Sequence, residues 1–483
     1  MKKTSSIFNY IYSMIYSILT MILPLITAPY ISRVIGAKGL GIYSYSYTIV
    51  SYFATFALLG INFYGNRSIA KVRDDKEKRN KVFSEIYSMQ LITSMTMLVL
   101  YLMYILLFVE ENYNIALIMI LFAVSPAISV NWFFNGLEMF KITVTRNILI
   151  KVITVLCTFI FVKESTDLWK YTLILALGTF LSEGYLILTI KKYIAYSKPN
   201  IKNIFKHLKP NIVLFVPILA VSVYRSMDKL MLKWLVGYEQ VGFYTNAEKI
   251  INICLACITA LGQVMLPKMT TLLARGENSK FNNLLKKTIK FVSFLSIAMM
   301  FGIFSIASNF IPVFLGKGYG ECVPILKLLS VNLVLLAWGN VLKSEYLIPK
   351  EKDQLYIISV VIGAMVNFII NLILIPRMMA KGAAIGTICA EVASLIIILG
   401  FIFKDINLKS IGKECIAYVV IGAFMYGGIR IFSFNGLDKI WSLFIQCIIG
   451  VIFYLTSCMV YWHIKKDEFE KDIINIFLKI KNI

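Results

Sequence analysis

Apolar positions in this chain come in long unbroken blocks, separated by short polar stretches that carry most of the charge. Blocks of roughly 20 residues recur at about 10–32, 41–63, 83–109, 114–134, 145–163, 168–190, 211–235, 242–266, 289–314, 322–347, 355–376, 382–403, 414–433 and 440–462. As a helix, each is long enough to cross a hydrocarbon layer about 30 Å thick. The pattern predicts an all-α membrane protein of about fourteen transmembrane helices. The first block is too long, and lacks the small-residue cleavage site, for a signal peptide. The pair over 145–190 is divided least clearly.

The blocks repeat. Gly36-Ala-Lys-Gly-Leu-Gly41-Ile-Tyr43-Ser44 matches Gly237-Tyr-Glu-Gln-Val-Gly242-Phe-Tyr244-Thr245, and Gly178-Thr179 with Glu183 matches Gly386-Thr387 with Glu391. Self-similarity over so long a period marks an internal duplication, and duplicated halves are the plan of many secondary transporters. Six spans per copy put both copies into the membrane in the same direction, a MATE-like pair of parallel lobes. The expected organisation is an N-lobe at 1–192, a cytoplasmic amphipathic connector at 193–210, a C-lobe at 211–404, two further spans at 405–463 and a cytoplasmic tail at 464–483. The tail, with Phe469, Ile473 and Phe477 among lysines and glutamates, reads as an interfacial helix. The paired glycine motifs are expected at extracellular turns, where glycine lets a chain bend tightly and helices approach closely.

Composition agrees: 59% hydrophobic and 16% charged, against about 25% charged in a soluble domain. The net charge of +23 suggests nucleic acid only until its placement is considered. The lysines and arginines fill alternate loops, around Arg67–Lys81, Lys191–Lys209, Lys268–Lys287, Lys404–Lys413 and after Lys465. The intervening loops, such as Glu110-Glu111, are poorer in them. By the positive-inside rule the rich set and both termini are cytoplasmic, and membrane lipids rather than nucleic acid are the expected contacts. Cys254-x2-Cys257 lacks a second ligand pair, and His207 and His463 have no partner visible in the sequence, so no metal is expected. Gly36-x4-Gly41 is followed by Ile42 and Tyr43, not Lys and Ser or Thr, which excludes a nucleotide-binding P-loop. No loop is long enough for a catalytic domain.

Ionisable groups within spans are costly and usually face a cavity or one another. Arg33 closes span one; Arg146 and Lys151 open span five; Arg225 and Asp228 share a face of span seven; Glu183 and Glu391 lie within spans six and twelve. Cations outnumber carboxylates here. A positive cavity suits an anionic headgroup, and arginine's forked donors suit a diphosphate. Asn131, Trp132, Phe133, Asn135, Asn367 and Asn371 add groups able to meet sugars.

Three motifs then resemble Wzx-type polysaccharide repeat-unit flippases of the multidrug/oligosaccharidyl-lipid/polysaccharide exporter superfamily. They are Pro24-Leu-Ile-Thr-Ala-Pro29-Tyr30-Ile-Ser-Arg33 running to Gly36; Trp132-Phe-Phe-Asn-Gly136-Leu-Glu138 with Lys141 and Arg146; and Gly363 to Pro376 with Asn367 and Asn371, followed by Gly382, Gly386 and Glu391. The resemblance implies a two-lobe, fourteen-span, alternating-access transporter in the bacterial plasma membrane. It moves undecaprenyl-diphosphate-linked oligosaccharide from the cytoplasmic to the outer leaflet, alongside other polysaccharide assembly proteins, and performs no catalysis. By resemblance Arg33, Arg146, Lys151 and Arg225 line the cavity; Asp228 is placed with them by the helix face it shares with Arg225. Glu183 and Glu391 are expected in coupling or lobe contact; no cofactor is expected, and a proton or sodium ion is the open choice of coupling ion. The alternatives are a drug/cation antiporter, which requires an anionic cavity, and a membrane enzyme of polysaccharide assembly.

Overall fold

The computed structural model describes residues 4–402, 408–431 and 438–466. Side chains are described from residue 22 onward, apart from 261, 263, 264 and 408–411. Lys2 and Lys3, the loop at Lys404 and the interfacial helix expected after Lys466 lie outside the described residues. Among those described, helix is the regular structure. Thirteen segments are long and apolar enough to cross a membrane. The first, Ile22–Lys71, covers two of the expected spans. The chain divides into two compact units, Met1–Gly242 and Phe243–Ile483.

The first unit contains α1 (Thr4–Leu58), α2 (Ile61–Lys71), α3 (Lys76–Phe108), α4 (Tyr113–Ile118), α5 (Ile120–Ile128), α6 (Asn131–Gly136), α7 (Phe140–Phe161), α8 (Leu168–Ile190), α9 (Ile201–Lys206) and α10 (Leu208–Val236). Buried clusters hold it, and two of them are large. One gathers Phe83, Trp132, Phe133 and Phe134 with Ile61 and Ile69, and the other gathers Tyr101, Met119 and Phe122 with Ile42 and Val50. Asp75 caps α3, accepting the Lys78 N–H at 3.0 Å; that bond, aided by the Lys78 ammonium, holds its carboxyl below the usual range.

Span four departs from expectation: the block at 114–134 is three short helices, not one. Pro126 offers no N–H to the turn before it, and Ser129 is extended (φ −76°, ψ 120°), so several carbonyls lose their helical donors. Inside a bilayer such groups must be satisfied by protein. Gln90 of α3 donates to the Pro126 carbonyl at 2.6 Å and the Ser129 carbonyl at 2.7 Å, and the Tyr87 hydroxyl donates to the Ala127 carbonyl at 3.2 Å. Trp132 in turn donates its indole N–H to Gln90 Oε1 at 2.8 Å.

The expected connector at 193–210 is helical over Ile201–Lys206 and again from Leu208, where α10 begins, and its His207 has partners the sequence did not reveal. Nε2 of His207 meets Glu85 Oε2 at 3.0 Å and Nδ1 meets the Tyr64 hydroxyl at 2.7 Å, while Asn203 donates to Glu85 Oε1 at 3.0 Å.

The duplicated glycines adopt matching conformations. Gly36 (φ 74°, ψ 173°) interrupts α1, and Gly237 (φ 99°, ψ 175°) ends α10; only glycine occupies this region readily. The second glycine of each motif packs on the other motif's backbone. A Cβ at Gly41 would stand 1.8 Å from the Tyr238 carbonyl oxygen, and one at Gly242 would stand 1.9 Å from that of Ala37.

The second unit holds most of α11 (Tyr238–Ala274), then α12 (Asn278–Phe314), α13 (Cys322–Val341), a six-residue π-helix (Leu342–Leu347), α14 (Asp353–Met378), α15 (Ala380–Ile402), α16 (Leu408–Ile431) and α17 (Lys439–Lys465). Helices α14 and α15 form a close hairpin in which Gly382 meets the Leu374 carbonyl and Gly386 meets Asn371. The last two helices pack on α12 through Phe294, Tyr418, Tyr454 and Trp462.

Candidate functional site

The break in span four places Asn131 at the start of α6, facing α7 and α8. Its amide donates to both oxygens of Glu183, at 2.9 and 2.8 Å. Its carbonyl accepts from Arg146 Nη2 at 3.0 Å. Arg146, 6% exposed, donates further to Asn147 Oδ1 at 2.7 Å and the Ser182 carbonyl at 2.7 Å, and its Nη1 lies 3.9 Å from Glu183 Oε2. The guanidinium and the carboxylate are thus joined through one asparagine. A buried arginine held on several fixed acceptors is an organising group.

Two cavities flank Glu183. One, of about 300 Å³, is bounded by Tyr43 and Tyr47 of α1, Asn147 and Lys151 of α7, and Thr179 and Glu183 of α8. The other, of about 370 Å³, lies between α1 and α5 and shares Tyr47, Phe122, Thr179 and Glu183 with the first. Lys151, half-buried one helical turn beyond Arg146, is the lysine facing the first cavity. An ammonium, a carboxylate and two phenols therefore meet around one space.

The other sequence candidates fall elsewhere. Arg33 and Arg225 are exposed and Asp228 is buried at 3%; none borders these two cavities. In the second unit Glu391 is 2% exposed. A Cβ on Gly339 would stand 3.7 Å from its Oε2 and 3.6 Å from Lys343 Nζ, so both charges converge on that helix face. Tyr244 meets Thr387 there at 3.0 Å, tying the repeated glycine motif to the repeated Gly-Thr motif. Their counterparts Tyr43 and Thr179 border the first-unit cavity.

Sequence reasoning overlooked Glu345, wholly buried on the π-helix. Insertions of this kind frequently accompany functional positions. It also overlooked Gln90; a lone amide within an apolar block was the available signal.

The model for polysaccharide biosynthesis proteins matches residues 7–273. A putative O-antigen transporter of Escherichia coli K12 is 23% identical over 402 residues, covering 82% of this chain and 96% of that protein. The Bacillus subtilis lipid II flippase MurJ is 22% identical over 83% of each chain. Among solved structures, an inward closed lipid II flippase MurJ aligns over 95% of this chain and 99% of its own, with TM-score 0.75 at 16% identity. An inward-facing multidrug resistance transporter of the MATE family aligns over 81% of this chain and 99% of its own, at TM-score 0.59 and 14% identity. The match across more than half the chain shows that it belongs to the polysaccharide biosynthesis protein family.

Proposed function

We propose that this protein is a flippase. It carries undecaprenyl-diphosphate-linked oligosaccharide from the cytoplasmic to the outer leaflet of a bacterial plasma membrane, for surface polysaccharide assembly. Relatives named as an O-antigen transporter and a lipid II flippase support the class of cargo. The observation that carries the reading is the polar cavity of Lys151, Glu183, Tyr43 and Tyr47 within a unit of apolar helices. Undecaprenyl tails can stay in lipid, but a diphosphate crossing hydrocarbon unaided meets a prohibitive solvation barrier. A lined passage removes that barrier, and alternating access moves the passage from one face to the other.

In this reading Lys151 meets the headgroup, while Arg146 positions Asn131 and Glu183 rather than contacting cargo. Arg33 and Arg225, both exposed, are contacts for phosphate on entry or exit. Asp228, Glu391 and Glu183 carry any exchange of a proton or sodium ion. Both termini are cytoplasmic, in line with the lysine-rich loops. Other polysaccharide assembly proteins supply and receive the cargo; the protein itself makes or breaks no covalent bond.

The test replaces Lys151 with Ala and with Glu and measures surface polysaccharide and lipid-linked intermediate at matched protein levels. Loss of export with accumulated intermediate, deeper in Lys151→Glu, is expected. Full export in Lys151→Glu refutes the cationic passage.

A further inference from the structure

A third cavity, of about 160 Å³, lies at the lysine-poor end of the first unit, apart from the space around Glu183. Its walls come from several elements. Tyr104 and Phe108 stand one turn apart on the last turns of α3, with ring centroids 6.1 Å apart and planes 20° from parallel. Tyr45 of α1 and Tyr238 at the start of α11 meet edge to face at 5.7 Å. The turn after α3 supplies Glu110 and Glu111, both exposed. Lys233 Nζ lies 5.5 Å from the ring centroids of both Tyr45 and Tyr238. Two glutamates and a lysine thus border a cage of phenols.

We propose that this cavity is a subsite for one sugar ring of an oligosaccharide. It rests on the flippase reading only for the source of the sugar. The volume matches a single six-membered ring, since a cavity of about 150 Å³ accommodates benzene. Flat aromatic faces pack against the C–H faces of a sugar ring, while carboxylates and phenols bond its hydroxyls; a pocket with apolar walls and a few placed polar groups is the usual form of a small-ligand site. An aromatic cage with nearby acids also suits an organic cation. Here the chain's own Lys233 already holds the cation's place against two of the rings, so a second cation is repelled and a neutral polyol is favoured.

The location adds meaning. Tyr238, whose carbonyl oxygen abuts Gly41, forms one wall of the cavity. A sugar held here therefore rests on the backbone seam between the two glycine motifs, on the face that the charge asymmetry assigns to the outside.

Trp234 donates its indole N–H to the Tyr45 hydroxyl at 3.3 Å, which supplies a reporter. The full-length protein, purified in detergent, is titrated with maltose, lactose, chitobiose and tetramethylammonium chloride. The signal is the fluorescence change lost in Trp234→Phe. A saturable response to at least one disaccharide is expected, weakened about tenfold by Tyr104→Ala, less by Tyr104→Phe, and weakened by Glu111→Gln. No saturable response to any of the three sugars overturns the proposal. So does a response unchanged in both Tyr104→Ala and Glu111→Gln, or one that tetramethylammonium reproduces. Binding requires no translocation, so the two readings fail separately. Sugar binding without export of lipid-linked oligosaccharide refutes the flippase and keeps the subsite, and export without sugar binding does the reverse.

Discussion

Arg146 shows how a residue's role depends on its neighbours more than on its type. Counted along the chain it is one cation among several that favour an anionic cargo. In place, its guanidinium is engaged by Asn131, Asn147, the Ser182 carbonyl and Glu183. Removing one member of a buried ion pair leaves the other charge uncompensated and costs about 3–5 kcal/mol, whereas removing both costs far less. Arg146→Met should therefore lower the melting temperature sharply, and Arg146→Met with Glu183→Gln should regain much of the loss. A double-mutant cycle on the purified protein measures the coupling, and additive effects would show that the pair does not interact. Lys151, further along the same helix, is half-buried and borders the cavity with Tyr43, Tyr47 and Glu183; in the flippase reading, substituting it should reduce transport at a smaller loss of stability than Arg146→Met. Separate stability and export assays divide the two roles.

Among the elements, the glycine motifs decide how the first helices of the two repeats meet. In a helix, Gly→Ala ordinarily stabilises by about 1 kcal/mol. At Gly41 and Gly242 the added methyl would collide with a backbone carbonyl, and overpacking costs about 1–3 kcal/mol. Thermal melting should therefore show Gly41→Ala and Gly242→Ala destabilised, while Gly302→Ala, with open space where its Cβ would stand, is neutral or stabilised. A Gly41→Ala protein that melts with the wild type would remove the seam. The motif pair was legible from spacing alone, because identical backbone demands leave identical glycines in both copies. The apolar blocks were legible for the same kind of reason: the bilayer imposes one length on every span. The break in span four was not, since its cost is met by Gln90, some forty residues away. Nor was the mooring of the connector, because Glu85, His207 and Tyr64 become neighbours only after the helices pack.

For the whole molecule, the division of labour follows charge. In the flippase reading the +23 net charge, gathered in alternate loops, serves as a topology signal, and the proposed passage needs only a small local excess. Of the candidate site residues, the chain order could rank none: Arg33 and Arg225 look as favourable as Lys151 until burial separates them. In the proposed flippase, what drives cargo outward is a question about charge crossing the membrane. A diphosphate diester bearing about two negative charges gains roughly 4–5 kcal/mol per 100 mV when it leaves an inside-negative compartment, about two-thousandfold in its equilibrium distribution. Purified protein in liposomes under a potassium diffusion potential tests this, with the leaflet distribution of lipid-linked oligosaccharide as the readout. A shift approaching two-thousandfold per 100 mV means that both charges cross uncompensated. A shift of about fiftyfold means that one cation accompanies them, and Glu183→Gln and Glu391→Gln then identify which carboxylate carries it. No dependence on potential would make transport electroneutral and overturn a potential-driven flippase.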